Sequence, residues 1–175
     1  MKTILTLIER DIYPNNEITP ESEYLKSRRT TRIVIFDTEG NVALGAVNEG
    51  NDTFRYSIIG GGIDEGELIE DALIREALEE TGCKIKNIQE LGTIEERGIG
   101  NEFNKRRVQF NYCFTADVDG EKNNPQFTKE DVHDGLTVVW LSLEEAIRCL
   151  KNQKDSFITR RTLFLLEEAK RVRFV

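Results

Sequence analysis

Hydrophobic positions along the chain follow two different periods, and the switches between them divide it into elements. Residues 31–36, TRIVIF, form a β-branched run. A polar turn at Asp37–Asn41 follows, and VALGAV resumes the pattern, which predicts a hairpin. After the loop-like segment 48–53, FRYSII reads as another strand leading into Gly60, Gly61 and Gly62. The clearest alternation lies between Arg106 and Val118. There Val108, Phe110, Tyr112, Phe114, Ala116 and Val118 interleave with Arg107, Gln109, Asn111, Cys113, Thr115 and Asp117. A period of two predicts a strand with one buried face. Further strands are expected at the N-terminus, within 84–96 and over 136–141, with polar loops over 98–104 and 119–129.

Helical spacing takes over between Asp64 and Glu80, and Gly82 suits the left-handed residue that ends a helix. Ser142 with Glu145 three residues on has the form of a capping box opening a second helix. Residues 156–171 predict a third. Hairpins combined with helices, without strict βαβ alternation, point to the α/β (α+β) class with a mixed sheet covered by helices.

The helix after the glycines is unusual in its charge. Between Asp64 and Glu80 stand eight acidic residues and one base, Arg75. At about 100° per residue, Glu76, Glu79 and Glu80 fall on the same arc as Leu68, Ile69, Ala72 and Leu73. A solvated acidic face predicts these three opposite the apolar stripe, and it accounts only for Glu67, Glu70 and Asp71. Clustered carboxylates facing the protein body are costly to desolvate unless a cation or protons compensate them. Three at i, i+3 and i+4 form an oxygen-rich patch suited to a hard divalent ion, Mg²⁺ or Mn²⁺. Arg75 lies at i+4 from Glu79 and is placed to orient it.

Composition narrows the partners. The chain has 175 residues, enough for one domain with a real core, and one domain is expected over 1–175, with an N-terminal arm over 1–30, a core over 31–150 and a C-terminal helix over 151–175. The net charge of −8 disfavours a nucleic-acid polymer as partner, while a small anionic ligand remains compatible with a local cation. No apolar run approaches the roughly 18 residues a membrane span needs. Three widely spaced cysteines, Cys83, Cys113 and Cys149, suggest neither a disulfide framework nor a zinc site and fit a cytoplasmic setting. His133 is the one histidine, which makes a histidine-based triad or zinc cluster hard to build. The last helix either packs or pairs two copies, so a homodimer is open.

Gly61, Glu67 and the run Arg75-Glu76-Ala77-Leu78-Glu79-Glu80-Thr81-Gly82-Cys83 resemble the Nudix box, Gx5Ex7REUxEExGU, in which U is a bulky aliphatic residue. Every charged and glycine position matches. Ala77 is slight for a U position, Cys83 replaces the final aliphatic, and Ile59 stands where many members carry proline. The resemblance to Nudix hydrolases implies an α/β/α sandwich around a mixed β-sheet. It also implies water-driven cleavage of a nucleoside diphosphate linked to a moiety X, with one or more divalent ions. On the matching positions, Glu76, Glu79 and Glu80 would be metal ligands, joined by the main-chain carbonyl of Gly60. Glu67 and Arg75 would support them, and Glu76 or Glu80 would serve as general base. A further acid is often recruited beyond the box, for which Glu130 and Asp131 are candidates ahead of Asp134. Substrate contacts are expected from Arg106, Arg107, Gln109 and Asn111, against an equal expectation of an ordinary half-exposed strand. Arg97, Lys105, Arg28 and Arg29 are weaker candidates. Two rival readings are a non-catalytic nucleotide-sensing or interaction module, which typically lacks box carboxylates, and an isopentenyl diphosphate isomerase-like enzyme, which needs more histidines.

Overall fold

The computed structural model describes residues 1–15, 26–51, 53–99 and 106–173. Seven strands form one mixed sheet. They are β1 (Thr3–Ile8), β2 (Lys26–Phe36), β3 (Asn41–Gly50), β4 (Thr53–Ile58), β5 (Lys84–Ile99), β6 (Arg106–Asp119) and β7 (Leu136–Ser142). The order is β1-β5-β6-β2-β3-β4, with β7 on the other edge of β3. Parallel pairs (β1 with β5, β2 with β6) mix with antiparallel ones. Five helices accompany it: α1 (Glu9–Ile12), α2 (Ile69–Thr81), α3 (Lys129–His133), α4 (Leu143–Asn152) and α5 (Phe157–Arg173).

Both faces of the sheet are covered. On one, Leu73 and Ala77 of α2 pack with Ile33, Ile35, Ala43, Ile59, Ala116 and Val118. On the other, Ala146, Leu165, Leu166 and Ala169 of α4 and α5 pack with Val34, Phe36, Val42, Leu44, Ile94 and Cys113. This is an α/β/α sandwich, and it corrects the expectation of one buried face for β6. Asn111, Cys113 and Thr115 are buried along with Ala116 and Val118. Small polar residues on a central strand can be buried when neighbours supply hydrogen bonds, so alternation in polarity here does not mean alternation in exposure.

The feature that positions the site is a wedge in the sheet. β2 and β3 pair only at Phe36 and Val42, where the Asp37–Asn41 turn joins them. Beyond that point the glycine turn takes the free edge of β2: Ile33 N donates to Ile59 O (2.9 Å), Thr31 N to Gly61 O (3.0 Å) and Ile63 N to Arg29 O (3.1 Å). Gly60 has φ +125°, and a Cβ there would stand 2.3 Å from Thr31 O. Only glycine permits that close approach.

The termini of α2 follow from the sequence in one case and not the other. Gly82, at φ +69°, ends the helix in the left-handed conformation with its N–H on Leu78 O. Leu68 is the N-cap and is 67% exposed, outside the apolar stripe in which it was expected. Ser142 and Glu145 form the reciprocal capping box at the start of α4. Residues 129–133 form the short helix α3, which begins at the end of the expected 119–129 loop.

Candidate active site

α2 delivers its carboxylates directly behind the glycine turn. Glu76 is 8% exposed, and its oxygens lie 2.5 and 2.6 Å from where a Cβ on Gly61 would sit. The missing side chain at Gly61 is therefore what admits the Glu76 carboxylate. Glu80 Oε2 accepts from the Gly60 N–H at 3.1 Å. Arg75 ties the rest together: Nε and Nη2 bind the two oxygens of Glu67 (2.8 and 3.0 Å), Nη1 binds Glu76 (2.7 Å) and Glu79 (3.2 Å), and Nη2 also reaches Gly62 O (2.9 Å). A planar guanidinium can serve five acceptor atoms on four residues in this way, and an ammonium cannot.

The charge states follow from these contacts. Arg75, with the Asp64 N–H, holds the Glu67 carboxyl down at about 2. Burial pushes Glu76 up from the usual range against the pull of Arg75. Burial likewise pushes Glu80 up to about 7, offset by the Gly60 N–H and reinforced by the charges of Glu76 and Asp131. The site thus contains carboxylates that resist ionisation without a further positive charge. Among the described residues, no three His, Cys, Asp or Glu side chains converge as they stand into an ion-holding cluster. The donor chemistry nevertheless suits a hard cation. Glu76, Glu79 and Glu80 offer only oxygens, the space at Gly61 is kept open for one of them, and the desolvation of two of them is relieved by added positive charge.

Asp131 is brought within electrostatic range of Glu80 because the 119–128 segment folds over the C-terminal end of α2. Gln126 N donates to Glu79 O (2.7 Å), and Asn123 O fills the space that a Cβ on Gly82 would need. Asp131 Oδ2 accepts from Thr128 N and Oγ1 at the start of α3. The side chains of Glu130, Arg106 and Arg107 lie outside the described residues, as does Lys105.

Gln109 and Asn111 sit in an interior polar layer on the α5 side of the sheet. Asn111 Oδ1 accepts from Thr30 Oγ1 (2.8 Å), Arg32 Nε (3.3 Å) and Gln109 Nε2 (2.9 Å), and Asn111 Nδ2 donates to Ile94 O. Gln109 also binds Glu96, whose two oxygens accept from Arg161 Nη1 of α5 at 2.6 and 2.7 Å. Arg32 Nη1 donates to Gly60 O, so the layer reaches the same peptide whose N–H holds Glu80. Burial, then the nearby Arg161, lower the Arg32 guanidinium to about 9. Sequence reading missed Arg32, Glu96 and Arg161. The available signal was Arg32 itself, a charge inside the β-branched run TRIVIF.

Comparison with known proteins agrees with this geometry. A family model described as NUDIX domain matches residues 26–162. The oxidized purine nucleoside triphosphate hydrolase of Mus musculus is 29% identical over 111 residues, 60% of this chain and 68% of that protein. The NAD-capped RNA hydrolase NudC of Vibrio parahaemolyticus is 34% identical over 74 residues, 42% of this chain and 25% of that protein. Among solved structures, the NUDIX domain of Shewanella oneidensis NrtR, complexed with ADP ribose, superposes with a TM-score of 0.62 at 19% identity, covering 95% of this chain and 99% of that one. With its carboxylate set, glycine turn and sandwich all in place, the chain belongs to the NUDIX domain family and is one of its hydrolases.

Proposed function

We propose that the protein is a divalent-metal-dependent pyrophosphohydrolase that cleaves a nucleoside diphosphate linked to a second moiety by attack of water at phosphorus. The observation that carries this reading is the placement of Glu76 and Glu80 against the glycine turn, with both carboxyls pushed up by burial. Glu76, Glu79 and Glu80 would hold Mg²⁺ or Mn²⁺, and Asp131 is the acid beyond the box nearest in electrostatic terms. Gly60 O, already accepting from Arg32, offers its second lone pair. A bound ion would neutralise phosphate charge and lower the pKa of a coordinated water.

The chain's own groups account for the rest. Arg75 fixes the orientation of Glu76 and Glu79, and the Gly60 N–H fixes one oxygen of Glu80. Glu80, half-buried beside the glycine turn and held by the Gly60 N–H, is read as the general base that takes a proton from water. The three free cysteines fit a reducing, cytoplasmic setting; no helix among the described residues is long and apolar enough to cross a membrane.

The test is a panel of nucleoside triphosphates, ADP-ribose, dinucleoside polyphosphates and nucleotide sugars, assayed with Mg²⁺ and with Mn²⁺. Turnover of at least one compound is expected, with a drop of about a hundredfold or more in kcat for Glu80→Gln at unchanged circular dichroism. Undiminished turnover by Glu80→Gln would remove the role given to this carboxylate. A folded wild-type protein inert on the whole panel would point instead to a nucleotide-sensing module.

A further inference from the structure

Arg28 differs from the other described cations near the glycine turn. β2 is pinned to that turn by the Ile63 N to Arg29 O hydrogen bond and by the bridge between Thr30 and Gly62. This register sets Arg28 beside Gly62, where a methyl group would lie 3.5 Å from Arg28 Nη2 and 4.0 Å from Nε. Its described cationic neighbours are engaged. Arg75 holds Glu67, Glu76 and Glu79, Arg29 lies over the Tyr112 ring at 5.4 Å, Arg32 bonds Gly60 O and Asn111, and Arg161 bonds Glu96. Arg28 is exposed and, among the described residues, takes part in no hydrogen bond or ion pair, although four glutamates gather behind the adjoining turn.

Among the described residues, no interior carboxylate bonds to it either. Arg28, Thr30 and Arg32 of β2 register with Gln109, Asn111 and Cys113 of β6, which puts them on the face that carries the buried polar layer. That layer sets Arg32 and Arg161 against Glu96, with Glu80 also acting on Arg32, and Arg28 adds a further positive charge beside Arg32. An arginine on an open surface needs no partner. This one is held in register beside a turn backed by clustered carboxylates, at the rim of the buried polar layer.

We propose that Arg28 is a substrate-binding residue that takes non-bridging oxygens of the substrate's diphosphate across Gly62. The inference rests on the pyrophosphohydrolase reading for its substrate class. A guanidinium fork matches two phosphate oxygens, and the absence of a side chain at Gly62 leaves the approach open.

The experiment uses Arg28→Ala, Arg28→Lys and, for comparison, Arg160→Ala, which removes an arginine paired with Asp155, with a substrate that the wild type turns over. Loss of a charge-assisted contact predicts a rise in KM of about tenfold to a hundredfold for Arg28→Ala, with kcat held within about threefold. Arg28→Lys should recover part of the loss, Arg160→Ala should show little, and Mn²⁺ affinity measured by calorimetry should be the same in all four proteins. A second measurement needs no turnover. Inorganic pyrophosphate titrated in EDTA should bind Arg28→Ala more weakly than wild type, with the difference shrinking as NaCl is raised. Equal KM and equal pyrophosphate affinity in wild type and Arg28→Ala would overturn the proposal. Weaker pyrophosphate binding by Arg28→Ala in a protein inert on every nucleotide would uphold Arg28 and reject the hydrolase reading instead.

Discussion

At the scale of single residues, the site turns on one guanidinium and two absent side chains. Arg75 neutralises a carboxylate cluster that would otherwise repel itself, so its removal should cost stability as well as activity. Arg75→Met is expected to lose about 1–3 kcal/mol in urea titration, because three carboxylates are left beside one another without their shared donor. Arg75→Lys should regain less than half of this. Glu67 gives the same contact a pH signature. Its folded carboxyl sits near 2, below the ordinary 4.5, so its contribution to stability is present above about 4.5 and is lost as the pH falls toward 2. The stability difference between wild type and Glu67→Gln should therefore shrink between pH 5 and pH 2, and a constant difference would show that the ion pair is not its source. At Gly61 the expectation is more selective. Gly61→Ala puts a methyl group within 2.5–2.7 Å of the Glu76 carboxylate, so Mn²⁺ binding by calorimetry should weaken by tenfold or more, roughly one misplaced ligand's worth, while the circular dichroism spectrum is kept.

At the scale of elements, the parts that local chemistry dictates were readable and the parts that distant packing dictates were not. The β-branched run before Asp37, the capping box at Ser142 and the glycine that ends α2 each declare themselves within a few residues, and each element is present. Leu68 misled because its position on the helical arc says nothing about where the helix begins, and as N-cap it points to solvent. The layer of Arg32, Glu96, Asn111 and Arg161 was hidden for another reason. Its members come from β2, β5, β6 and α5, with Glu96 and Arg161 65 positions apart, and no local pattern links them. The C-terminal end of α2 is where an element-level change should reach the site. Gly82→Ala meets both a positive φ and the Asn123 carbonyl at 2.3 Å, so it should destabilise by about 1–3 kcal/mol. It should also displace the 123–126 segment that ties α3 and Asp131 to α2. Loss of metal affinity in Gly82→Ala beyond that in Asp131→Asn would separate these two effects.

At the scale of the whole molecule, the sandwich holds a pair of partly desolvated carboxyls that fold best uncharged and are proposed to work best charged. Glu80 shows the conflict most clearly. Its folded carboxyl is raised to about 7, mainly by burial, from an ordinary 4.5. The stabilisation of its neutral form is complete below about pH 4.5 and disappears as the pH rises through 7, the opposite sense to Glu67 and in a different pH window. A metal-free protein should accordingly lose stability between pH 4.5 and 7.5, by an amount on the order of 3 kcal/mol from this group. Glu80→Gln, neutral at every pH, should escape that loss and melt above the wild type in EDTA at pH 8. Adding Mn²⁺ should reverse the order, since the ion binds the folded wild type and raises its midpoint by mass action, while the variant lacks one of its ligands. If Glu80→Gln instead melts below the wild type in EDTA at pH 8, then the Glu80 carboxylate is already well compensated within the protein by Arg32 and the Gly60 N–H. The drive to take up a cation would then have to come from Glu76 and Glu79, and a charge change at Glu76 would be the one to restore stability in the metal-free state.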